Sequence, residues 1–206
     1  ETVAAPPQAT DWRHRAAAWF DAWAARRVPS DLDAVVGYEN GTRETFRAAK
    51  ERGITTILDA ASFHHAWQDR FYEPVESEAV HERINTRKDE EVHLADHVLT
   101  VSELARESYI DAGVPPESVT SVPMGADLSD FAPRDNEKTG ESEPFTFLFA
   151  GHAGRRKGVD VLLSASERLR QGGHAHCVQF AGGQAEGVFQ DTNTPIEHLG
   201  YLDRPS

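Results

Sequence analysis

Apolar residues recur along the chain in two alternating patterns, one with the period of a helix and one with the period of a strand. Residues Asp11 to Arg27 carry Trp12, Ala16, Trp19, Phe20 and Trp23, and offsets of seven, eight and eleven from Trp12 put the aromatic rings on one helical face. A short apolar strand, Ala34 to Tyr38, comes next. The aromatic face is therefore expected to pack on a sheet rather than lie on a membrane surface. From there the pattern predicts a helix over 41–52, a strand over 55–59, a long helix from about 75 to 94 and a strand over 97–101. Ser102 reads as the N-cap of a helix that runs to Ala112 and is closed by Gly113, and a strand over 119–122 follows. Helices alternating with short β-rich strands are the signature of βαβ units and a parallel sheet.

The stretch 133–144 holds Pro133, Asn136, Gly140 and Pro144 among charged residues, with little to bury, and reads as a linker. The alternation then restarts with a strand over 145–150, a glycine-bearing turn, a helix over 159–170 and strands over 177–181 and 196–199. The expected fold class is α/β, with two parallel-sheet units over 1–132 and 145–206, the second cut off before its sheet is complete.

Composition narrows the function classes. Hydrophobic residues make up 39% and charged residues 27% of the 206, an ordinary globular balance. A formal net charge of -13 argues against a nucleic-acid partner, which needs excess Lys and Arg, and also disfavours anchoring on anionic lipid. The single cysteine, Cys177, lies in an apolar strand pattern and is expected to be buried and inert. No stretch approaches the ~20 apolar residues of a membrane span, and Glu1-Thr2-Val3 opens no targeting peptide, so a cytoplasmic location is the expectation. The only methionine is Met124, which marks the sequence as a processed product or a piece of a longer chain.

The chemistry concentrates in the loop Gly151-His152-Ala153-Gly154-Arg155-Arg156-Lys157-Gly158, between a strand and a helix. Open parallel sheets bind ligands at that place, glycines let backbone approach closely, and a helix N-terminus offers free N–H groups to an anion. The plain alternative is an exposed turn with solvated cations. The loop is neither a Walker loop nor a dinucleotide glycine fingerprint.

Phe149-Ala150-Gly151, followed by Arg156-Lys157-Gly158-Val159-Asp160 and Leu162-Leu163, resembles the donor-phosphate loop of family-4 glycosyltransferases, enzymes of the GT-B fold. Glu91, Ala95-Asp96-His97-Val98-Leu99-Thr100-Val101-Ser102, Gly113-Val114, Val119 and Val122-Pro123-Met124-Gly125-Ala126-Asp127 with Phe131-Ala132-Pro133 are similar to the end of that family's first domain. The resemblance implies two Rossmann-like domains of the GT-B type. Residues 1–132 would be the later part of the acceptor-side domain and 145–206 the start of the nucleotide-sugar domain. It also implies hexosyl transfer from a UDP- or GDP-sugar to a sugar, lipid-linked or small-molecule acceptor, as in glycan biosynthesis. Configuration would be retained, with neither metal nor cofactor, the nucleotide-sugar being a substrate. The remaining donor residues would lie beyond Ser206, so the 206 residues alone are expected to be inactive.

Residue by residue, Lys157 matches the lysine on the donor diphosphate, with Gly151 and Arg156 beside it; His152 stands where many relatives have arginine. Gly182, Gly183, Tyr201 and Leu202 match turns that line the nucleotide pocket. Ser62-Phe63-His64-His65 resembles a loop that places a histidine near the transferred sugar, with His64 preferred as catalytic residue and His65 the alternative. Ser102 and Gly125 belong to the pattern as well, with plain roles as a helix cap and a turn. The rival reading is a non-catalytic nucleotide- or sugar-phosphate-binding module.

Other constellations point nowhere. Asp31-Leu32-Asp33 precedes its strand, and His64-His65, His93-His97 and His174-His176 show no carboxylate or cysteine at ligand spacing, so no metal is expected. The run Arg87-Lys88-Asp89-Glu90-Glu91 reads as a solvated helix face. Peripheral membrane contact is left open.

Overall fold

A computed structural model describes residues 7–71, 74, 76–129, 144–154, 157–189 and 194–203. They fall into two compact units divided between Asp127 and Leu128. Of the expected linker, only Pro144 is among the described residues.

The first unit runs α1 (Pro7–Ala25), β1 (Ala34–Tyr38), α2 (Arg43–Lys50), β2 (Thr55–Ala60), a short α3 (His65–Gln68), α4 (Glu78–Leu94), β3 (His97–Thr100) and α5 (Glu103–Asp111), then a 3-10 turn (Pro116–Ser118) and β4 (Val119–Ser121). Its strands pair in parallel in chain order, with Leu58 opposite Val98 and Val98 opposite Val119. Alternation along β2 and β3 buries Leu58, Ala60 and Val98, which meet Phe46 of α2, Tyr109 of α5 and Val119 of β4 in one core cluster. Each large side chain buried there stabilises the unit by roughly 1.5–3 kcal/mol. Gly37 sets how closely α2 approaches β1, because a Cβ there would stand 1.8 Å from Thr42 Oγ1 and 2.8 Å from the Phe46 ring. Ser102 caps α5 as its sequence position predicts, its Oγ accepting from the Ala105 N–H at 3.1 Å, and Gly113 closes the helix at φ 98°. Gly125 makes no such turn and sits in irregular backbone without positive φ.

The first N–H groups of a helix have no partner within it. In α2 they are satisfied by two carboxylates from distant helices. Glu91 Oε1 accepts from Thr42 at 3.0 Å and Arg43 at 3.2 Å, while Asp21 accepts from Glu44 at 2.8 Å and Thr45 at 2.9 Å. Arg87 pairs with both carboxylates, and Asp21 and Glu91 are each 0% exposed. Burial pushes the Glu91 carboxyl above the usual range, against the backbone N–H donors and Arg87, which hold it down. The charge run on α4 is thus not a solvated face. Arg87 and Glu91 are buried because α2 needs anions at its start.

The same seat corrects the expectation for α1. Its buried contact is with α2, through Asp21, and not with a sheet through the aromatic face. Trp12, Trp19, Phe20 and Trp23 are instead 70%, 71%, 55% and 43% exposed.

Asp96 ties β2 to the end of α4, accepting from the Thr56 N–H at 2.9 Å and from Lys50 at 2.6 Å. Lys50, then the Thr56 N–H, holds its carboxyl below the usual range. A depressed folded pKa means stability that is present above the unfolded value and lost as pH falls through the folded one. In Asp96→Asn, acid unfolding followed by circular dichroism should therefore lose part of its pH dependence below about pH 4. An unchanged acid limb would show that the pair contributes nothing.

The second unit runs β5 (Phe145–Ala150), α6 (Val159–Gln171), β6 (His176–Ala181) and β7 (Ile196–Gly200), with the strands parallel in the order β5-β6-β7. Ala153, Val159, Val178 and Phe180 form its buried cluster, flanked by Phe149, Leu162 and Ile196. β5 is an edge of this sheet and leaves Phe145 and Leu148 exposed. Ser166 of α6 is pinned to His176 of β6 at 2.5 Å in a buried contact. Cys177 is half-buried, not fully buried as its strand position suggests.

Candidate functional site

Beyond the carboxyl ends of β5, β6 and β7 the chain makes three turns held to one another by backbone. The Gly151 N–H donates to Ala181 at 2.8 Å, Ala153 to Gly183 at 2.7 Å, Ala185 to Ala153 at 2.8 Å and Gly182 to Gly200 at 2.6 Å. Gly182 has φ 120°, and a Cβ on it would stand 2.4 Å from the Gly151 carbonyl oxygen. Only glycine allows that approach. A Cβ on Gly183 would meet Tyr201 Oη at 2.8 Å and His152 Nδ1 at 3.1 Å, so the phenol and the imidazole flank it. Gly151, Gly182, Gly183 and Tyr201, singled out separately in sequence, are one constellation. His152 joins them.

The helix that follows supplies polarity. α6 starts from Gly158 in the left-handed region at φ 71°, with no side-chain hydrogen bond capping it among the described residues. Its first-turn N–H groups and the positive end of its dipole lie at this end of the helix. Lys157 is exposed immediately before that start, its own N–H donating to Gly154 at 2.9 Å. Arg156 lies outside the described residues. Leu202 is 65% exposed and takes no part in the cluster.

His64 stands in the first unit, beyond β2. It is 8% exposed, starts α3, donates its backbone N–H to Ser108 Oγ at 3.0 Å, and sets its ring edge-on to Tyr109 with centroids 5.2 Å apart. Burial, then the neighbouring His65, holds its pKa below the usual histidine range, against the pull of Asp89 and Glu39. The ring is therefore neutral near neutral pH. Nδ1 accepts from the Ala66 N–H at 3.3 Å, which leaves the proton on Nε2, 3.6 Å from Asp89 Oδ1.

The expectation that these histidines lack a carboxylate does not hold. Asp89 reaches His65 Nε2 at 2.6 Å from one turn of α4, at a sequence separation of 24. His64, His65 and Asp89 each bring one ligand-type atom within 4.8 Å of the others, and the His65–Asp89 hydrogen bond accounts for that closeness without an ion. One residue of the neighbourhood escaped the sequence reading. Glu39, just past the end of β1, is nearly buried, accepting from Ser62 at 2.7 Å and pairing with Lys88 at 3.1 Å. The available signal was position, since Glu39 directly follows a parallel strand at its carboxyl end.

Solved structures share this architecture. HepE from Anabaena, in complex with UDP-glucose, matches over 88% of this chain and 51% of its own at TM-score 0.52 and 16% identity. TarM matches over 89% and 36% at TM-score 0.58 and 13% identity, and the GtfA/B complex over 90% and 38% at 0.55 and 14%. The chain has the GT-B type of fold. It spans about half the length of HepE. No family model and no curated protein matches it. In this GT-B frame each unit is a Rossmann-like layer of parallel strands and helices, and the glycine turns sit where such layers bind ligands.

Proposed function

We propose that the complete protein transfers a sugar from a nucleotide-sugar donor to an acceptor, and that the second unit holds the donor's diphosphate at the ends of β5, β6 and β7. One observation carries this reading: glycine turns from three strands meet one another on the side of the sheet from which α6 starts, with Lys157 just before that start and no side-chain cap on it among the described residues. The N–H groups of a helix start, its dipole and an ammonium suit a diphosphate leaving group, whose charge grows as the glycosidic bond breaks. HepE was solved with UDP-glucose, and a TarM variant from S. aureus with UDP, which supports the nucleotide-sugar class.

The resemblance to family-4 glycosyltransferases extends the proposal to retention of configuration without a metal. In that reading Arg156 and Lys157 neutralise the diphosphate, while Tyr201 and the turn at Gly182 and Gly183 line the nucleotide. A neutral His64 with its proton on Nε2 would donate a hydrogen bond to a sugar hydroxyl rather than supply positive charge.

Calorimetric titration of UDP and GDP into the wild type and Lys157→Ala tests the loop. A charge-assisted hydrogen bond is worth about 1.5–3 kcal/mol, so affinity should fall roughly tenfold or more. Equal affinity in the two proteins would remove Lys157 from the site.

A further inference from the structure

We propose that His64, His65 and Asp89 form a binding site for a divalent transition-metal ion of the zinc class. A ring nitrogen of each histidine and a carboxylate oxygen of Asp89 lie within 4.8 Å of one another. Asp89 Oδ1 is 2.6 Å from His65 Nε2 and 3.6 Å from His64 Nε2. Zinc holds nitrogen and carboxylate oxygen at about 2.0–2.2 Å, which in a tetrahedron sets neighbouring ligand atoms about 3.3 Å apart. The two observed distances bracket that value. The hydrogen bond that joins His65 to Asp89 is the metal-free form of the same contact, because a proton and an ion compete for the same lone pairs. His93, exposed one turn beyond Asp89 on α4, lines a cavity together with His64 and Asp89 and is placed to supply the fourth ligand.

The surroundings suit an ion. A metal-bound histidine holds its other ring N–H on a carboxylate or carbonyl, which fixes the ring and its tautomer. His65 Nδ1 is buried with no hydrogen bond among the described residues, and Asp69 Oδ2 stands 3.9 Å from it. Asp69 is itself anchored, by His81 Nε2 at 3.1 Å and Asn85 at 3.2 Å. A small closure of His65 on Asp69 gives the buried nitrogen a partner and completes a carboxylate–histidine–ion arrangement. Lys88, the cation next to Asp89 in sequence, is drawn to Glu39 at 3.1 Å. Two imidazoles and one carboxylate select zinc and its neighbours, whereas magnesium and calcium take oxygen-rich sets. His64 limits the affinity. Its Nδ1 accepts from the Ala66 N–H at 3.3 Å, and an ion on Nε2 moves the ring proton to Nδ1 and breaks that contact. On the sugar-transfer reading proposed above, the same move removes the hydrogen bond that His64 offers a sugar, so the ion inhibits. The binding itself does not rest on that reading. Every donor comes from α4, α3 or the residue that starts α3, so the site depends on no free surface.

The test is calorimetric titration of the whole chain with zinc and with magnesium, read together with nitrogen-15 spectra of the histidine rings. Wild type should bind zinc and not magnesium. Zinc should move the His64 proton from Nε2 to Nδ1, a change that an ion held by histidines elsewhere does not make. Asp69→Asn should weaken zinc binding roughly 10- to 100-fold, the usual cost of an outer-shell partner, and Asp89→Ala or His65→Gln should weaken it further. His174→Gln, in the second unit, should bind zinc as wild type does. The proposal is overturned by any of four results: no zinc binding, magnesium bound as tightly as zinc, wild-type zinc affinity in Asp89→Ala, or an unchanged His64 tautomer in the zinc-saturated protein. The tautomer is read in the wild type, which keeps the test decisive if a variant fails to fold. Titration of UDP into Lys157→Ala is run without zinc, so the donor site and this site stand or fall separately.

Discussion

Arg87→Met should unfold the first unit at a clearly lower urea concentration than wild type, with a loss of about 3–5 kcal/mol, the usual cost of leaving buried charge without its partner. Arg87 is the only cation paired with Asp21 and Glu91 among the described residues, and both carboxylates are fully buried. Without it, two anions face each other across the start of α2, held by backbone N–H groups and the Thr45 hydroxyl. All four tryptophans lie in the first unit, so their fluorescence reports this transition directly. Adding Glu91→Gln should restore part of the loss, because an amide oxygen still accepts from Thr42 and Arg43 while one charge is gone.

The pH dependence has a definite sign. Burial raises the folded Glu91 pKa above its unfolded value. Such a carboxyl contributes most below the unfolded pKa, and that contribution is lost as pH rises through the folded one. The difference between Arg87→Met and Arg87→Met/Glu91→Gln should therefore shrink on acidification. A wild-type urea midpoint in Arg87→Met would mean that α2 does not depend on this seat.

The second large effect is expected at Gly182→Ala. The substitution forces a side chain to φ 120° and puts its Cβ 2.4 Å from backbone, where no rotamer can yield. Strain and overpacking together should cost the second unit about 3 kcal/mol. Amide exchange along β6 should accelerate accordingly, and UDP affinity should fall by at least about tenfold if the turns form the diphosphate site. Gly125→Ala is the control, since Gly125 has open space and no positive φ, and should stay within about 0.5 kcal/mol of wild type. Wild-type exchange in Gly182→Ala would show that Gly151 and Gly182 do not meet.

Much of the frame was legible beforehand. The strand patterns over 55–59, 97–101 and 177–181 appear as β2, β3 and β6 within a residue at each end, and Ser102 caps α5 where its position predicts. The family-like motif made Gly151, Gly182, Gly183 and Tyr201 separate suspects, but their meeting at one point depends on strand pairing. His152, read as a departure from the motif, turns out to flank Gly183. The carboxylate partner of His65 was invisible because it comes from another helix.

By itself, the order of residues determined the elements and the parallel α/β class, since periodic burial and capping are set by neighbours a few positions apart. Tertiary structure alone decided which polar groups go inside and which aromatic groups stay out. Asp21 and Arg87 are 66 residues apart and look like ordinary surface charges until α2 presents its unpaired N–H groups to both helices. Once Asp21 is committed to that inner side, the geometry of a helix turns Trp12, Trp19, Phe20 and Trp23 outward. The need to satisfy the buried backbone donors of α2 fixes which side of α1 faces inward.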